Sequence, residues 1–113
     1  MKKVSLLFLL LVLGFCNLAV VSAKETKAEY VITLKDHKFS PEELVIPANT
    51  KVKIIIENQD ATPEEFESYD LNREKVVTGN GKITIFIGPL KSGTYKYFGE
   101  FHKDSAQGVI IVE

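Results

Sequence analysis

The sequence predicts an all-β protein, a sandwich of about seven short strands. Three observations lead there. Apolar residues recur with period two rather than 3.6, the runs that carry them are short, and Pro, Gly, Asn and Asp bound each run. One sheet alone would leave its apolar face in water, so strands at this spacing are expected to pack as two sheets face to face.

Tyr30, Ile32 and Leu34 alternate with Val31, Thr33 and Lys35, which predicts a first strand with Asp36-His37-Lys38 as its polar end. Leu44 and Ile46 form a short run that Pro41 and Pro47 bracket. Val52, Ile54 and Ile56 alternate with Lys51, Lys53 and Glu57, the clearest half-buried pattern in the chain. Asn58 to Pro63 reads as a loop and Glu65 to Asp70 as a strand, while Leu71-Asn72-Arg73-Glu74 is compatible with a turn of helix. Val76 and Val77 carry a strand to Gly79-Asn80-Gly81, a turn because glycine and asparagine tolerate positive φ. Ile83, Ile85 and Ile87 then face one way, with Thr84 and Phe86 the other, until Gly88-Pro89 breaks the run. Thr94 to Phe98 and Val109 to Val112 supply the last two strands. Neither an internal repeat nor a second domain is evident.

The N-terminus reads differently. Lys2 and Lys3 precede an uncharged apolar run from Val4 to Val21, and Val21-Ser22-Ala23 ends it with small residues. This predicts a signal peptide over 1–23, cleaved after Ala23, and an exported, periplasmic domain over 24–113. The run is also long enough for a membrane span, but the cleavage pattern and the polar Lys24-Glu25-Thr26-Lys27 favour removal, so the mature chain is not expected to cross the membrane. Cys16 follows bulky Phe15, unlike a lipid-anchor signal, and it is the one cysteine of the chain. Residues 24–113 therefore hold no disulfide, and a domain of 90 residues must rest on its hydrophobic core. They carry 12 basic and 15 acidic residues, a net charge of −3 that speaks against nucleic acid and is compatible with cations. With no cysteine after the signal and neither histidine in a serine-centred motif, an enzyme is not expected.

Several segments carry a resemblance. Phe39-Ser40-Pro41, Leu44-Val45-Ile46-Pro47-Ala48-Asn49-Thr50, Asn58-Gln59-Asp60, Gly88-Pro89-Leu90-Lys91-Ser92-Gly93-Thr94-Tyr95 and Gly108-Val109-Ile110-Ile111-Val112 stand in an order and spacing that resembles the cupredoxins. The resemblance implies a cupredoxin-like Greek-key β-sandwich. In that family a strand of the form Tyr-x-aromatic-x-Cys leads into a Cys-x-x-His-x-x-x-x-Met loop, and a first histidine follows the Asn-x-Asp loop. Here Tyr95-Lys96-Tyr97-Phe98-Gly99-Glu100-Phe101-His102 leads to Gln107-Gly108, so Gly99 stands at the cysteine position, Gln107 at the methionine position and Glu64 at the first histidine position. Of the four usual ligands only His102 is kept. A trigonal thiolate copper site needs the cysteine sulfur, and glycine has none. The segment Glu64 to Lys75 together with Gly99-Glu100-Phe101-His102 also resembles a cupredoxin-like subgroup associated with bacterial iron uptake and, more distantly, the cupredoxin domain of Efe-type periplasmic iron transport components. That implies a transition metal, iron or copper, as the cofactor and a membrane iron permease as a partner.

The candidate metal ligands are His102, Glu65, Glu67, Glu100, Glu64 and His37. Glu65 and Glu67 share one face of their strand while Phe66 turns to the core. If the fold holds, the start of this strand lies beside the ligand loop, bringing Glu65, Glu67, Glu100 and His102 into one neighbourhood. Carboxylates with imidazole suit iron, zinc, copper(II) or manganese. The plainer reading of the glutamates is a solvated strand face. Arg73 is expected either to hold that acidic cluster or to be a surface cation, and Asp60, Tyr69 and Asp104 to make turn and core hydrogen bonds. Two functions follow: an exported metal-binding protein serving iron or copper uptake, or a metal-free protein-interaction module of the cell envelope.

Overall fold

The computed structural model describes residues 28–113, so the expected signal peptide and Cys16 lie outside the described residues. Within them nine strands form two sheets. In chain order these are β1 (Glu29–Lys35), β2 (Lys38–Ser40), β3 (Glu43–Ile46), β4 (Val52–Asn58), β5 (Glu64–Ser68), β6 (Arg73–Val77), β7 (Lys82–Ile87), β8 (Gly93–Gly99) and β9 (Gln107–Val112). One sheet has the order β2-β1-β4-β7 and the other β3-β9-β8-β5-β6. The β1–β4 and β3–β9 pairs are parallel and the remaining pairs antiparallel. A single 3₁₀ turn, Glu100–His102, follows β8. No helix among the described residues is long and apolar enough to cross a membrane.

The period-two pattern decides which side of each strand is buried. On β4, Val52, Ile54 and Ile56 are all but inaccessible, and they meet Ile85 and Ile87 of β7 and Ile32 and Leu34 of β1 across the inner face. The opposing sheet contributes Ile46, Phe66, Tyr97, Ile110 and Val112. At the centre the Tyr97 ring lies 5.1 Å from Phe66 and meets Phe39 edge-on at 5.0 Å, an arrangement that favours aromatic quadrupoles beyond the area buried. Tyr97 faces Gly108 across the β8–β9 ladder, and a Cβ at 108 would come within 2.4 Å of the tyrosine ring and hydroxyl. Glycine there is what lets the large ring reach the core.

Four departures from the sequence reading have local causes. The polar segment after β1 is a tight turn, not a strand end, and the chain doubles back into the three-residue β2, which pairs with β1 over Leu34↔Phe39. Its single buried side chain, Phe39, gives no alternation to read. Leu71 to Glu74 is not helical. Ser68 Oγ donates to Lys96 O and accepts from Leu71 N, Asn72 sits at φ 57°, and the chain reverses into β6. Arg73 does not hold the acidic cluster: its guanidinium donates to the backbone oxygens of Phe86, Leu71 and Asn72, tying the edge of one sheet to the edge of the other. Tyr69 is not a core residue either; it is 75% exposed and packs on Phe98.

Phe66 touches both aromatic neighbours of the core, so Phe66→Ala is expected to lower unfolding free energy by about 3–5 kcal/mol, read from the urea midpoint at constant slope.

Candidate metal centre at the end of the sandwich

Three segments meet at one end of the sandwich, each fixed by its own backbone chemistry. The first is the β1–β2 turn. Asp36 and His37 both have positive φ, 53° and 60°, the conformation of a two-residue hairpin turn that usually takes Asn-Gly. A side chain held there costs on the order of 1 kcal/mol per residue. Asp60 offsets that cost, since Oδ1 accepts from Asp36 N at 2.7 Å and Oδ2 from His37 N at 3.0 Å. Desolvation acts to raise the Asp60 pKa, but these two backbone bonds, with the neighbouring Lys35 charge, outweigh it and hold the pKa below the usual carboxylate value. Asp60 is itself placed by buried Asn58, whose Oδ1 accepts from Asp60 N and whose Nδ2 donates to Thr62 O and Thr78 O. Asp60 thus makes the turn hydrogen bonds expected of it.

The second segment is the start of β5. Strand alternation turns Glu64 inward with Phe66 and Ser68, leaving it 2% exposed. Its carboxylate is fully engaged: Oε1 accepts from Glu65 N at 2.8 Å and Phe101 N at 2.7 Å, and Oε2 lies 2.9 Å from His102 Nδ1. An ionised carboxylate can only accept, so this contact sets the ring proton on Nδ1.

The third is the loop from Gly99 to Ala106. Gly99 N donates to Ala106 O, and Ala106 N donates to His102 O, which closes the loop on itself. A Cβ at Gly99 would stand 2.6 Å from both Cδ and Oε2 of Glu64 and 2.8 Å from Ala106 Cβ. The space a side chain would fill at 99 is the space the Glu64 carboxylate occupies.

These segments bring His102, Glu64 and His37 together. The two imidazoles are stacked, centroids 3.6 Å apart and planes 12° from parallel, and His37 Nδ1 lies 3.5 Å from Asp60 Oδ2. The rings are partly open to solvent, at 39% for His37 and 33% for His102. Glu65, Glu67 and Glu100 do not join them. Glu65 and Glu67 lie on the outer face of β5 with Glu74 of β6, and this trio is the one group of three such side chains among the described residues whose donor atoms lie within 4.8 Å of one another. Glu100 contributes its charge to Glu65 and Glu67 and also lies 3.6 Å from Lys103 Nζ. The expected single neighbourhood is therefore two, one on each face of β5, and His102 belongs with Glu64. Glu74 was the member sequence reasoning missed. Its register opposite Glu67 follows only from the β5–β6 turn.

The outer glutamates repel. A hydrogen bond shared with Glu74, then desolvation and the charges of Glu74, Glu67 and Glu100, raise the Glu65 pKa to about 7. Desolvation first, then the charge of Glu74, raises Glu67.

With this geometry in hand, comparison with known proteins places the chain. The family model of the cupredoxin-like domain matches residues 5–112. An uncharacterized protein of Rickettsia prowazekii (strain Madrid E) is 55% identical over 84 residues, 74% of this chain and 67% of that protein. Among solved structures, auracyanin A, a "blue" copper protein from Chloroflexus aurantiacus, superposes with TM-score 0.66 at 16% identity, covering 78% of this chain and all of that one. A purple cupredoxin from Nitrosopumilus maritimus gives 0.58 at 22% identity, over 74% and 99% of the two chains. Amicyanin from Paracoccus versutus gives 0.61 at 20%, over 84% and 87%. At these identities the likeness speaks for the fold.

Two outcomes are expected. Gly99→Ala should cost about 1–3 kcal/mol through overpacking, and adding Glu64→Ala should recover part of that loss in a double-mutant cycle, because the clash is with that carboxylate. Because the Glu65 pKa is raised in the folded state, its contribution is fully present below pH 4.5 and is lost as pH rises through about 7. Glu74→Gln should therefore flatten the decline in melting temperature between pH 5 and 8 and leave the variant more stable than wild type at the alkaline end.

Proposed function

The chain belongs to the cupredoxin-like domain family, and we propose that it is an exported metal-binding member of it that works through histidine and carboxylate without a thiolate. In this reading residues 1–23 are removed on export and residues 24–113 act in the bacterial periplasm. There they carry iron or copper to a membrane permease as an accessory of uptake, and perform no catalysis. The observation that carries it is the meeting of His102, Glu64 and His37 at one end of the sandwich, two imidazoles each with a carboxylate beside Nδ1.

A type 1 copper centre does not fit these residues. The described residues contain no cysteine, Gly99 stands where the family resemblance puts the sulfur, and the Glu64 carboxylate fills the volume beside it. The "blue" copper chemistry named for auracyanin A is therefore not carried over. Imidazole with nearby carboxylate suits borderline and harder ions, and iron and copper(II) both lie in that range.

A second reading has its own support. Glu64 is buried with both oxygens engaged and needs no metal to satisfy it, so the Glu64–His102 pair serves equally as an internal brace in a metal-free interaction module. Equilibrium dialysis of the purified protein against iron, copper, zinc and manganese, with elemental analysis, separates the two. Metal binding predicts about one retained ion, a loss of at least about tenfold in affinity for His102→Ala, and no intense thiolate-to-copper absorption on adding copper. Retention of none of the four ions above background would leave the interaction module as the reading.

A further inference from the structure

We propose that the atoms which take the metal are Nε2 of His102 and Nε2 of His37, and that Glu64 and Asp60 hold the two rings by their Nδ1 sides without ligating. This rests on the metal-binding reading above and specifies its atoms. The argument begins with which donors are already committed. Glu64 Oε1 accepts two backbone N–H groups and Oε2 faces His102 Nδ1, all inside a residue 2% exposed. Ligation through Oε1 would compete with the N–H groups of Glu65 and Phe101, and ligation through Oε2 would displace the His102 ring. Asp60 is committed likewise, one oxygen to Asp36 N and the other to His37 N. What remains on each ring is the nitrogen across from the carboxylate, and both rings are about one-third or more exposed.

The spacing suits two ligands of one ion. Donors about 2.0–2.1 Å from a tetrahedral ion stand about 3.3 Å apart, and rings whose centroids lie 3.6 Å apart are near enough for one nitrogen of each to reach that separation. With the planes only 12° from parallel, in-plane lone pairs do not converge on one point, so one ring must tilt for both to reach one ion. That ring is His37: it is the more exposed, it sits on a two-residue turn, and its Nδ1 is 3.5 Å from Asp60, against 2.9 Å for His102 and buried Glu64. His102 is the fixed ligand and His37 the one that swings. Such a carboxylate partner on the far nitrogen fixes the tautomer and raises the basicity of the ligating one.

The site is also open. The only trio of ligating side chains within 4.8 Å among the described residues is the outer Glu65–Glu67–Glu74 group, so the imidazole pair has no third such neighbour. Water or a donor from another molecule completes the coordination, which suits handover rather than storage.

Long-range proton–nitrogen NMR spectra of the purified protein, labelled with ¹⁵N-histidine, test this with one equivalent of zinc as the diamagnetic probe. Without zinc, His102 is expected to carry its proton on Nδ1. With zinc, the Nε2 signals of His37 and His102 should move together while both Nδ1 atoms keep their protons. Glu64→Gln removes the charge and one of the two acceptor oxygens while keeping the shape, and should weaken zinc binding about 10–100-fold with the same two Nε2 signals shifted; its thermal unfolding reports whether it folds. Zinc retained with an Nδ1 shifted, with neither ring shifted, or with unchanged affinity in folded Glu64→Gln overturns the assignment and leaves the metal-binding reading standing. No zinc, iron, copper or manganese retained at all removes both.

Discussion

The end of this sandwich is organised by one buried charge. Glu64 enters β5 at a position where strand alternation sends its carboxylate inward, and a carboxylate so placed is stable only when every oxygen finds a donor. Backbone N–H groups of residues 65 and 101 and the imidazole of His102 supply them. The requirement propagates. The 3₁₀ turn must present Phe101 N, the loop to Ala106 must hold His102 in place, and residue 99 must lack a side chain. Positions 64, 99 and 102 are therefore one unit, and none of the three can be interpreted alone.

That coupling explains what was legible in the sequence and what was not. The β4 alternation of Val52, Ile54 and Ile56 could be read directly because one face is wholly buried and the other is not. The outward pairing of Glu65 and Glu67 and the inward Phe66 followed from the same parity. Parity also sends Glu64 inward, yet in sequence Glu64 and Gly99 both read as ligand positions with the wrong residue. Gly99 looked like an absence. It is space, and the separation of 35 positions between it and the carboxylate that uses it hides the relation from any local pattern. The clamp of Asp60 on the Asp36-His37 turn is hidden for the same reason, since its partners lie 23 and 24 residues away. The β1–β2 turn and β2 were obscured by polar residues holding positive φ where Asn-Gly would have announced a hairpin.

The two imidazoles owe their position to different strengths of support. His102 is anchored to a buried group at 2.9 Å, so its orientation is set by the core. His37 is anchored through its backbone, with its ring 3.5 Å from the same aspartate that fixes the turn. A fixed ring beside a looser one admits and releases a ligand with less rearrangement than two fixed rings would. It keeps one donor placed at all times, which limits the ordering cost of binding.

β5 then links the site to the outer face. Adjacent residues of a strand are only about 3.3 Å apart along the chain, so the Glu65–Glu67–Glu74 group stands on the reverse of the strand that supplies Glu64. Repulsion among these glutamates raises their affinity for protons, and the same crowding raises the local concentration of any cation. On the proposed metal-binding reading the outer group need not ligate to matter, since negative potential at a surface concentrates cations near it. Lys103, beside Glu100, tempers that field on the loop side and leaves β5 and β6 as its source. One strand thus carries a field on its outer face and a positioned imidazole pair at its inner end, and its two-residue period keeps the two apart.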